Sequence, residues 1–219
     1  MKIKLEQVRP GDIEKRSFAI IEEELAAKGR VLTGDTAPII KRAIHTAADF
    51  DYADSLCFSP RVVEQAMQAI AQGATFVTDT QMALAGINKK NLALFGCTAR
   101  CFMADDDVAK EAAERDCTRA AVSMERAAAL SGPLIVAVGN APTALVRLYE
   151  LMQEGRIAPA LIIGVPVGFV NVVEAKELIL SSAVPHIVAR GRKGGSNVAA
   201  AICNALLLIS KEQQGKGTR

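Results

Sequence analysis

The sequence predicts an α/β protein, a doubly wound three-layer α/β/α domain with a five-stranded, mainly parallel sheet and a helical N-terminal segment. Half of the residues are hydrophobic but only 4% are aromatic and none is Trp, so the core is expected to be aliphatic. From Pro60 onward, short apolar runs alternate with helical segments. These runs are continuously apolar, which indicates strands covered on both faces. Because no Pro/Ser-rich or charge-dense linker interrupts the chain, residues 1–219 are predicted to form one domain.

The N-terminal region is predicted to be helical. A helix over residues 12–28 would have Asp12 as its N-cap and end at Gly29. A second helix is predicted over residues 38–48, with Pro38 in its first turn. Spacing by three residues places two chemically useful side chains, Arg42 and His45, on one face of that helix.

Strands and helices then alternate to the end of the chain. The five strands are predicted in the apolar runs at 74–79, 92–97, 134–140, 160–166 and 186–190. The covering helices are predicted near 60–72, 105–130, 142–154, 171–181 and 195–210. The acidic triplet Asp105–Asp107 is expected to cap a helix N-terminus, and residues 213–219 are expected to be a frayed polar tail.

Charge and hydropathy exclude several function classes. The net charge of +2, from 26 basic and 24 acidic side chains, gives no broad electrostatic surface for nucleic acid or an anionic membrane. The N-terminus has no apolar leader and no run of about 18 apolar residues occurs, so we expect a cytoplasmic protein that does not span a membrane. Five scattered cysteines without a CxxC pair are typical of reduced thiols, and the closest pair, Cys97 and Cys101, lacks two further good ligands, so no metal site is predicted.

Ligands of open parallel sheets bind beyond the carboxyl ends of the strands, so the loops at those ends are the candidate site. The loop of residues 190–196, which we call the basic loop, combines three basic side chains and three glycines directly before a predicted helix. Such a segment can hold an anion, although a solvated basic turn has the same composition. The turn Gly139–Thr143 is either a binding loop around Asn140 or an ordinary strand-to-helix connection. Neither common nucleotide motif, GxxxxGK[ST] or GxGxxG, is present.

His45 is the natural candidate for proton transfer because its ring titrates near neutrality. It lies in the segment RAIHTAADFDYAD at residues 42–54, where Arg42 and three aspartates surround it in sequence, although a structural role is the alternative. His186 follows Pro185 at the start of an apolar run and is expected to be structural. Arg119 opens a helical segment, where it would bind a carboxylate or form a surface ion pair.

Several segments, taken in order over nearly the whole chain, resemble the precorrin-8X methylmutase family, which includes the cobalt-precorrin-8 methylmutases. They are IEKRSFAIIEEEL around Ser17, RAIHTAADFDYAD, ATFVTDTQMALAGI, GNAPTAL, ALIIGVPVGFVNVVEAK and ARGRKGGSNVAAAICNAL. The resemblance implies a flavodoxin-like fold, a homodimer and an isomerase of cobalamin biosynthesis. The implied reaction moves a methyl group from C11 to C12 of the corrin ring, converting precorrin-8 to hydrogenobyrinate or its cobalt form to cobyrinate. It implies no redox or nucleotide cofactor, since any cobalt is carried by the substrate.

The resemblance also assigns roles to residues. It places the proton-transfer residue at His45 and implies that basic side chains hold the acetate and propionate groups of the corrinoid. The implied clamps are Arg42, Arg119, Arg190, Arg192 and Lys193, with hydrogen-bond donors at Ser17, Thr78, Asn140 and Thr143. Further substrate-binding positions are Thr46, Asp79, Ala141, Gly191 and Gly194, and apolar contacts with the ring are expected from Val165, Val167 and Phe169.

Two positions depart from the family pattern, and two other functions stay open. Ala47 stands where a second hydroxyl is expected, and Ala120 where Ser is usual, which puts individual contacts in doubt. One alternative is a transferase that binds a nucleotide or sugar phosphate at the basic loop and uses His45 as base. The other is a tetrapyrrole carrier that binds the product but leaves precorrin-8 unchanged.

Overall fold

The computed structural model describes residues 6–217, which contain one six-stranded sheet. The strands are β1 (Leu56–Phe58), β2 (Thr75–Thr78), β3 (Thr98–Arg100), β4 (Leu134–Val138), β5 (Leu161–Gly164) and β6 (His186–Ala189). Their order across the sheet is β1-β6-β5-β4-β2-β3. Strands β2 to β6 are parallel, and β1 pairs with β6 in the antiparallel direction. The predicted mainly parallel sheet is therefore confirmed.

Side chains of the central strands alternate between two apolar cores. In β4, Ile135 and Ala137 belong to one core, whereas Val136 and Val138 belong to the other. All five residues of this strand are buried. Coverage on both faces explains why the sequence of this strand is continuously apolar.

Helices cover both faces of the sheet, as predicted. The core that contains Ile135 is completed by α1 (Ile13–Ala27), α2 (Ala37–Ala47), α4 (Val62–Ala71), α5 (Gln81–Gly86) and α11 (Ser196–Gly217). The core that contains Val136 is completed by α7 (Asp106–Glu114), α8 (Arg119–Ala128), α9 (Pro142–Gln153) and α10 (Val172–Leu180). The short helices α3 (Tyr52–Ser55) and α6 (Lys89–Leu94) complete the set of α-helices within residues 6–217. The helical N-terminal segment is thus confirmed as α1 and α2.

The strand predicted at residues 92–97 is wrong, because the first half of that run is the end of helix α6. The side chain of Asn88 accepts a hydrogen bond from the Asn91 N–H at 3.0 Å and begins the helix. The helix is followed by Gly96, whose φ of +64° lies in the left-handed region. A short apolar run bounded by such residues fits a buried helix face as well as a strand. The actual strand, β3, follows at Thr98–Arg100 and is polar because it lies at the sheet edge.

Other differences from the sequence prediction concern element ends. Strand β1 was not predicted, since three residues are too few to show a pattern. Asp12 and Asp105 occupy N-cap positions but their carboxylates form no capping hydrogen bond. Helix α11 continues to Gly217, residues 218–219 lie outside the described residues, and the frayed tail at 213–219 stays a prediction.

Residues 6–217 contain neither a membrane-spanning helix nor a cluster of metal ligands. No helix in this part of the chain is long and apolar enough to cross a bilayer. The same residues contain no group of three His, Cys, Asp or Glu side chains arranged to hold a metal ion. All five cysteines are free thiols.

Candidate functional site

The loop after β4 is held by the carboxylate of Asp79, at the end of β2. Asp79 accepts hydrogen bonds from the backbone N–H groups of Gly139, Asn140 and Ala141, at 2.8, 2.8 and 2.7 Å. Burial raises the pKa of Asp79, and the three N–H donors act in the opposite direction. Asp79 and its neighbour Thr78 are both fully buried, so substrate contacts by these two residues stay predictions. What the geometry provides directly is a fixed turn that leaves Asn140 exposed.

The basic loop packs tightly against the ends of β4 and β5. The Gly195 N–H donates to the Val165 carbonyl at 2.9 Å. A Cβ on Gly194 would lie 2.0 Å from that same carbonyl oxygen, and a Cβ on Gly139 would lie 2.6 Å from Ser196 Cα. Glycine is therefore required here for close backbone approach. Val165 is itself fully buried, so its predicted contact with a ring has no exposed surface in this structure.

The three basic side chains of this loop have different environments. Lys193 Nζ lies 2.7 Å from Asp49 and 2.5 Å from Asp51, which raises the pKa of Lys193 and lowers that of Asp49. Arg190 Nε pairs with Glu177 at 3.0 Å. Arg192 lies over the Phe169 ring, 5.5 Å from its centre, and forms no ion pair with any residue of 6–217. Arg192 is therefore the cation of the loop that is most available to an incoming anion.

His45 lies in the last turn of α2 with its ring exposed. The ring meets Phe18 of α1 edge-on, with centres 5.4 Å apart. The Arg42 guanidinium lies 5.1 Å from the same Phe18 ring and pairs with Glu14. Phe18 thus contacts both groups and restricts their positions. Ser17, beside it, is half-buried and donates its hydroxyl to the Ile13 carbonyl at 2.9 Å.

A cleft of about 340 Å³ opens beside His45. Its walls come from the end of α2, from α5 and from the start of α11, directly after the basic loop. The lining residues are Arg42, His45, Thr46, Met82, Gly86, Asn197, Ala200, Ala201 and Asn204. The Lys193 bridge to Asp49 and Asp51 joins the segment after α2 to the basic loop on the other side.

A second cleft, of about 550 Å³, lies beside the loop after β4. Thr143 lines it and receives a hydrogen bond from the Thr118 hydroxyl at 3.0 Å. Arg119 is the next residue and is exposed at the first turn of α8. The predicted residues are therefore divided: Arg42, His45 and Thr46 share one cleft, and Thr143 lines the other.

One wall of this second cleft contains an ion-pair cluster around Glu125 of α8. Arg115 approaches its carboxylate at 2.6 and 2.9 Å, and Arg147 of α9 at 2.8 Å. The Glu125 side chain is only 11% exposed. Hydrogen bonds from Arg115, followed by those from Arg147, lower the pKa of Glu125 to about 2. The cluster fixes α8 against α9 below Thr118 and Thr143.

We predict that Glu125→Gln removes a pH-dependent part of the stability. A carboxylate with a lowered folded-state pKa stabilises the fold above its unfolded pKa, and this contribution is lost as pH falls toward the folded pKa. The variant should lose about 3 kcal/mol at pH 6, and the difference from the parent protein should shrink between about pH 5 and pH 2. Urea unfolding over that range measures it, with Glu114→Gln on the exposed face of α7 as control. A difference that does not change with pH would contradict the prediction.

Sequence reasoning missed the opposite wall of the His45 cleft and one buried cation. Asn197 and Asn204, seven residues apart on α11, line that wall. A Cβ on Gly86 would lie 2.7 Å from Ala200 Cβ, so α5 and α11 approach closely there. In the sequence, the only sign of this close approach is that both residues, Gly86 and Ala200, are small. The buried cation is Lys176 of α10, which nothing in the local sequence distinguishes from a surface lysine.

These features define a class of protein: a doubly wound α/β protein with an exposed histidine in a cleft and basic side chains around the carboxyl edge of its sheet. A sequence model of precorrin-8X methylmutase matches residues 12–209. The cobalt-precorrin-8 methylmutase of Salmonella typhimurium is 45% identical over 209 residues, covering 93% of this chain and 97% of the relative. That of Leptospira interrogans is 40% identical over 92% of this chain and 94% of its own length.

A solved structure agrees with these relatives. The precorrin-8X methylmutase from Thermus thermophilus superposes with a TM-score of 0.83 at 37% identity, covering 92% of this chain and 98% of that one. The chain belongs to the precorrin-8X methylmutase family, and its class is that of the isomerases of cobalamin biosynthesis. The prediction made from the ordered motifs is confirmed. A phosphate-dependent transferase and a non-catalytic carrier are not supported.

Proposed function

We propose that this isomerase moves a methyl group from C11 to C12 of cobalt-precorrin-8, giving cobyrinate, with His45 as the proton-transfer residue. The observation that carries this role is the position of the His45 ring, exposed in a cleft between Arg42 and the start of α11. The cobalt form is favoured because the Salmonella and Leptospira relatives carry that substrate in their names. The cobalt is part of the substrate, and no redox or nucleotide cofactor takes part.

In this mechanism His45 delivers a proton to the conjugated ring system and takes it back once the methyl group has moved, so that the product is an isomer of the substrate. Protonation makes the carbon that bears the migrating methyl group more electron-demanding and favours the shift. The contact with Phe18 holds the imidazole at the edge of the cleft, so the proton is delivered from a defined direction. Asn197, on the opposite wall, offers its amide to the substrate, whereas the Asn204 amide is already bonded to the Gly86 carbonyl and the Asn88 N–H.

Peripheral carboxylates of the substrate are held by basic and hydroxyl side chains at the sheet edge. Arg192 and Arg119 are exposed and reach solvent, whereas Lys193 and Arg190 must exchange carboxylate partners to contribute. The exposed side chains of Thr143 and Asn140 supply hydrogen-bonding groups beside them. Bidentate binding of carboxylates by arginine orients the macrocycle as well as retaining it.

The function is tested by anaerobic incubation of the purified protein with cobalt-precorrin-8 and, separately, with precorrin-8, without any added cofactor. The methyl shift extends ring conjugation, so conversion appears as an absorbance change. We expect turnover of both, faster with the cobalt form. Faster turnover of precorrin-8 would reverse the assignment of the natural substrate. Binding without conversion would contradict the proposed activity.

The enzyme acts in the cytoplasm as a homodimer. Support for the dimer comes from the loop after β5, where Val167, Phe169 and Val170 expose apolar side chains beside the basic loop. Light scattering of the purified protein tests this, and a monomeric mass at micromolar concentration would contradict it.

A further inference from the structure

Lys176 is a fully buried lysine in the middle of α10. Its ammonium donates hydrogen bonds to the carbonyl oxygens of Gly191 at 2.7 Å and Lys193 at 2.8 Å. These two carbonyls flank Arg192, the loop cation that has no ion-pair partner among residues 6–217. Lys176 therefore fixes the backbone on both sides of Arg192 from beneath the loop.

The charge of Lys176 is not balanced by a carboxylate. Within residues 6–217 it forms no ion pair, and burial alone lowers its pKa to about 8. Its hydrogen bonds to two backbone carbonyls favour the charged ammonium. A buried cation without a counterion is costly, so folds retain one mainly where something else depends on it. The dipoles of the Gly191 and Lys193 carbonyls offset part of the cost of burying this charge.

The neighbouring positive charges make the same surface attractive to a polyanion. Arg192 is exposed above the loop, while Lys193 and Arg190 are already paired with carboxylates. Neither Lys176 nor Arg192 has a carboxylate partner among residues 6–217. A ligand with several carboxylates would supply that negative charge. A corrinoid with its acetate and propionate groups has this chemistry.

We propose that Lys176 is a positioning residue for the substrate carboxylates, acting through the Gly191–Lys193 segment and adding positive charge beneath it. This inference rests on the proposed function. Lys176 touches neither the reacting carbons nor the His45 cleft, so its contribution is the same in the bound substrate and in the transition state. Loss of such an interaction raises KM and leaves kcat unchanged.

The test compares Lys176→Met with the parent protein in steady-state turnover of cobalt-precorrin-8. Methionine has nearly the same length and is apolar, so the buried position stays filled while the charge and both hydrogen bonds are lost. We expect KM to rise about tenfold and kcat to change by less than about twofold. Lys110→Met, which removes the same charge from the exposed face of α7, should alter neither constant.

Each outcome decides the inference. Unchanged KM, or a fall in kcat equal to the fall in kcat/KM, would overturn it while leaving the proposed function intact. An inactive parent protein would overturn both. If the methionine variant does not fold, the test is made on the ¹⁵N-labelled parent protein instead, by following the NMR resonance of the Lys176 ammonium. Addition of cobyrinate should shift that resonance, and an unshifted resonance at saturation would overturn the inference.

Discussion

His45→Ala should lower kcat for cobalt-precorrin-8 by about 10² to 10⁴, the range that a positioned general acid or base contributes. Binding of cobyrinate should stay within about threefold of the parent value, because the charged groups at the sheet edge are untouched. The ring is exposed and its described contact is with Phe18, so the truncation leaves no buried polar group without a partner. Stopped-flow absorbance gives the rate, and quenching titration gives the affinity.

The other histidine provides a matched control. His186 is buried in β6, and its Nδ1 lies 2.9 Å from the Val184 carbonyl. His186→Asn should lower the melting temperature but leave kcat within about twofold, since the side chain has a structural role. If His45→Ala lost corrinoid binding and melting temperature together, the ring would be structural and its proposed catalytic role would be wrong.

Among the Gly→Ala substitutions in the basic loop, Gly194→Ala should disrupt the loop most. The new Cβ would meet the Val165 carbonyl oxygen at 2.0 Å, and backbone cannot rotate away as a side chain can. The loop must move, which we expect to cost about 1–3 kcal/mol of unfolding free energy. Because Arg192 and Lys193 move with it, kcat/KM should fall by at least about tenfold, corresponding to about 1.4 kcal/mol. Urea unfolding and steady-state kinetics measure the two effects.

Gly191→Ala separates steric overlap from backbone strain. Gly191 has a φ of +80°, but a Cβ there meets no atom within 4 Å. Its cost should be about 1–2 kcal/mol, the penalty for a left-handed alanine, with the loop staying in place. Equal losses of kcat/KM in the two variants would show that close packing against Val165 is not what positions the loop.

The sequence predicted those parts of the fold whose signal is local. Strands β4 and β5 are buried on both faces and read as continuous apolar runs, so they were found. Residues 92–97 have the same composition, yet the Asn88 cap and Gly96 make this run a helix followed by a turn. Strand β3 was missed because its polarity follows from its position at the sheet edge, which depends on the order of the strands.

For the candidate site, sequence reasoning located the groups but not their pairing. It predicted the basic loop and the segment around His45 separately. One of the two partners of Lys193 is Asp51, 142 residues earlier, and no local pattern joins them. The backbone N–H groups that bond to Asp79 likewise come from residues 139–141, which lie 60 to 62 positions later in the chain. Burial and pairing of charges depend on tertiary contacts, which one sequence does not display.

The hydroxyl groups of Thr80 and Ser196 lie 2.8 Å apart, although 116 residues separate them. During synthesis the chain leaves the ribosome from its N-terminus, so β2 is available long before the segment that must meet it. Strands β2 to β5 can pair with one another while β6, the basic loop and α11 are still unmade. The sheet edge beside the basic loop therefore closes only when α11 docks, and contacts between such distant segments form slowly. The contact that joins the end of β2 to the start of α11 is thus among the last that the emerging chain can make.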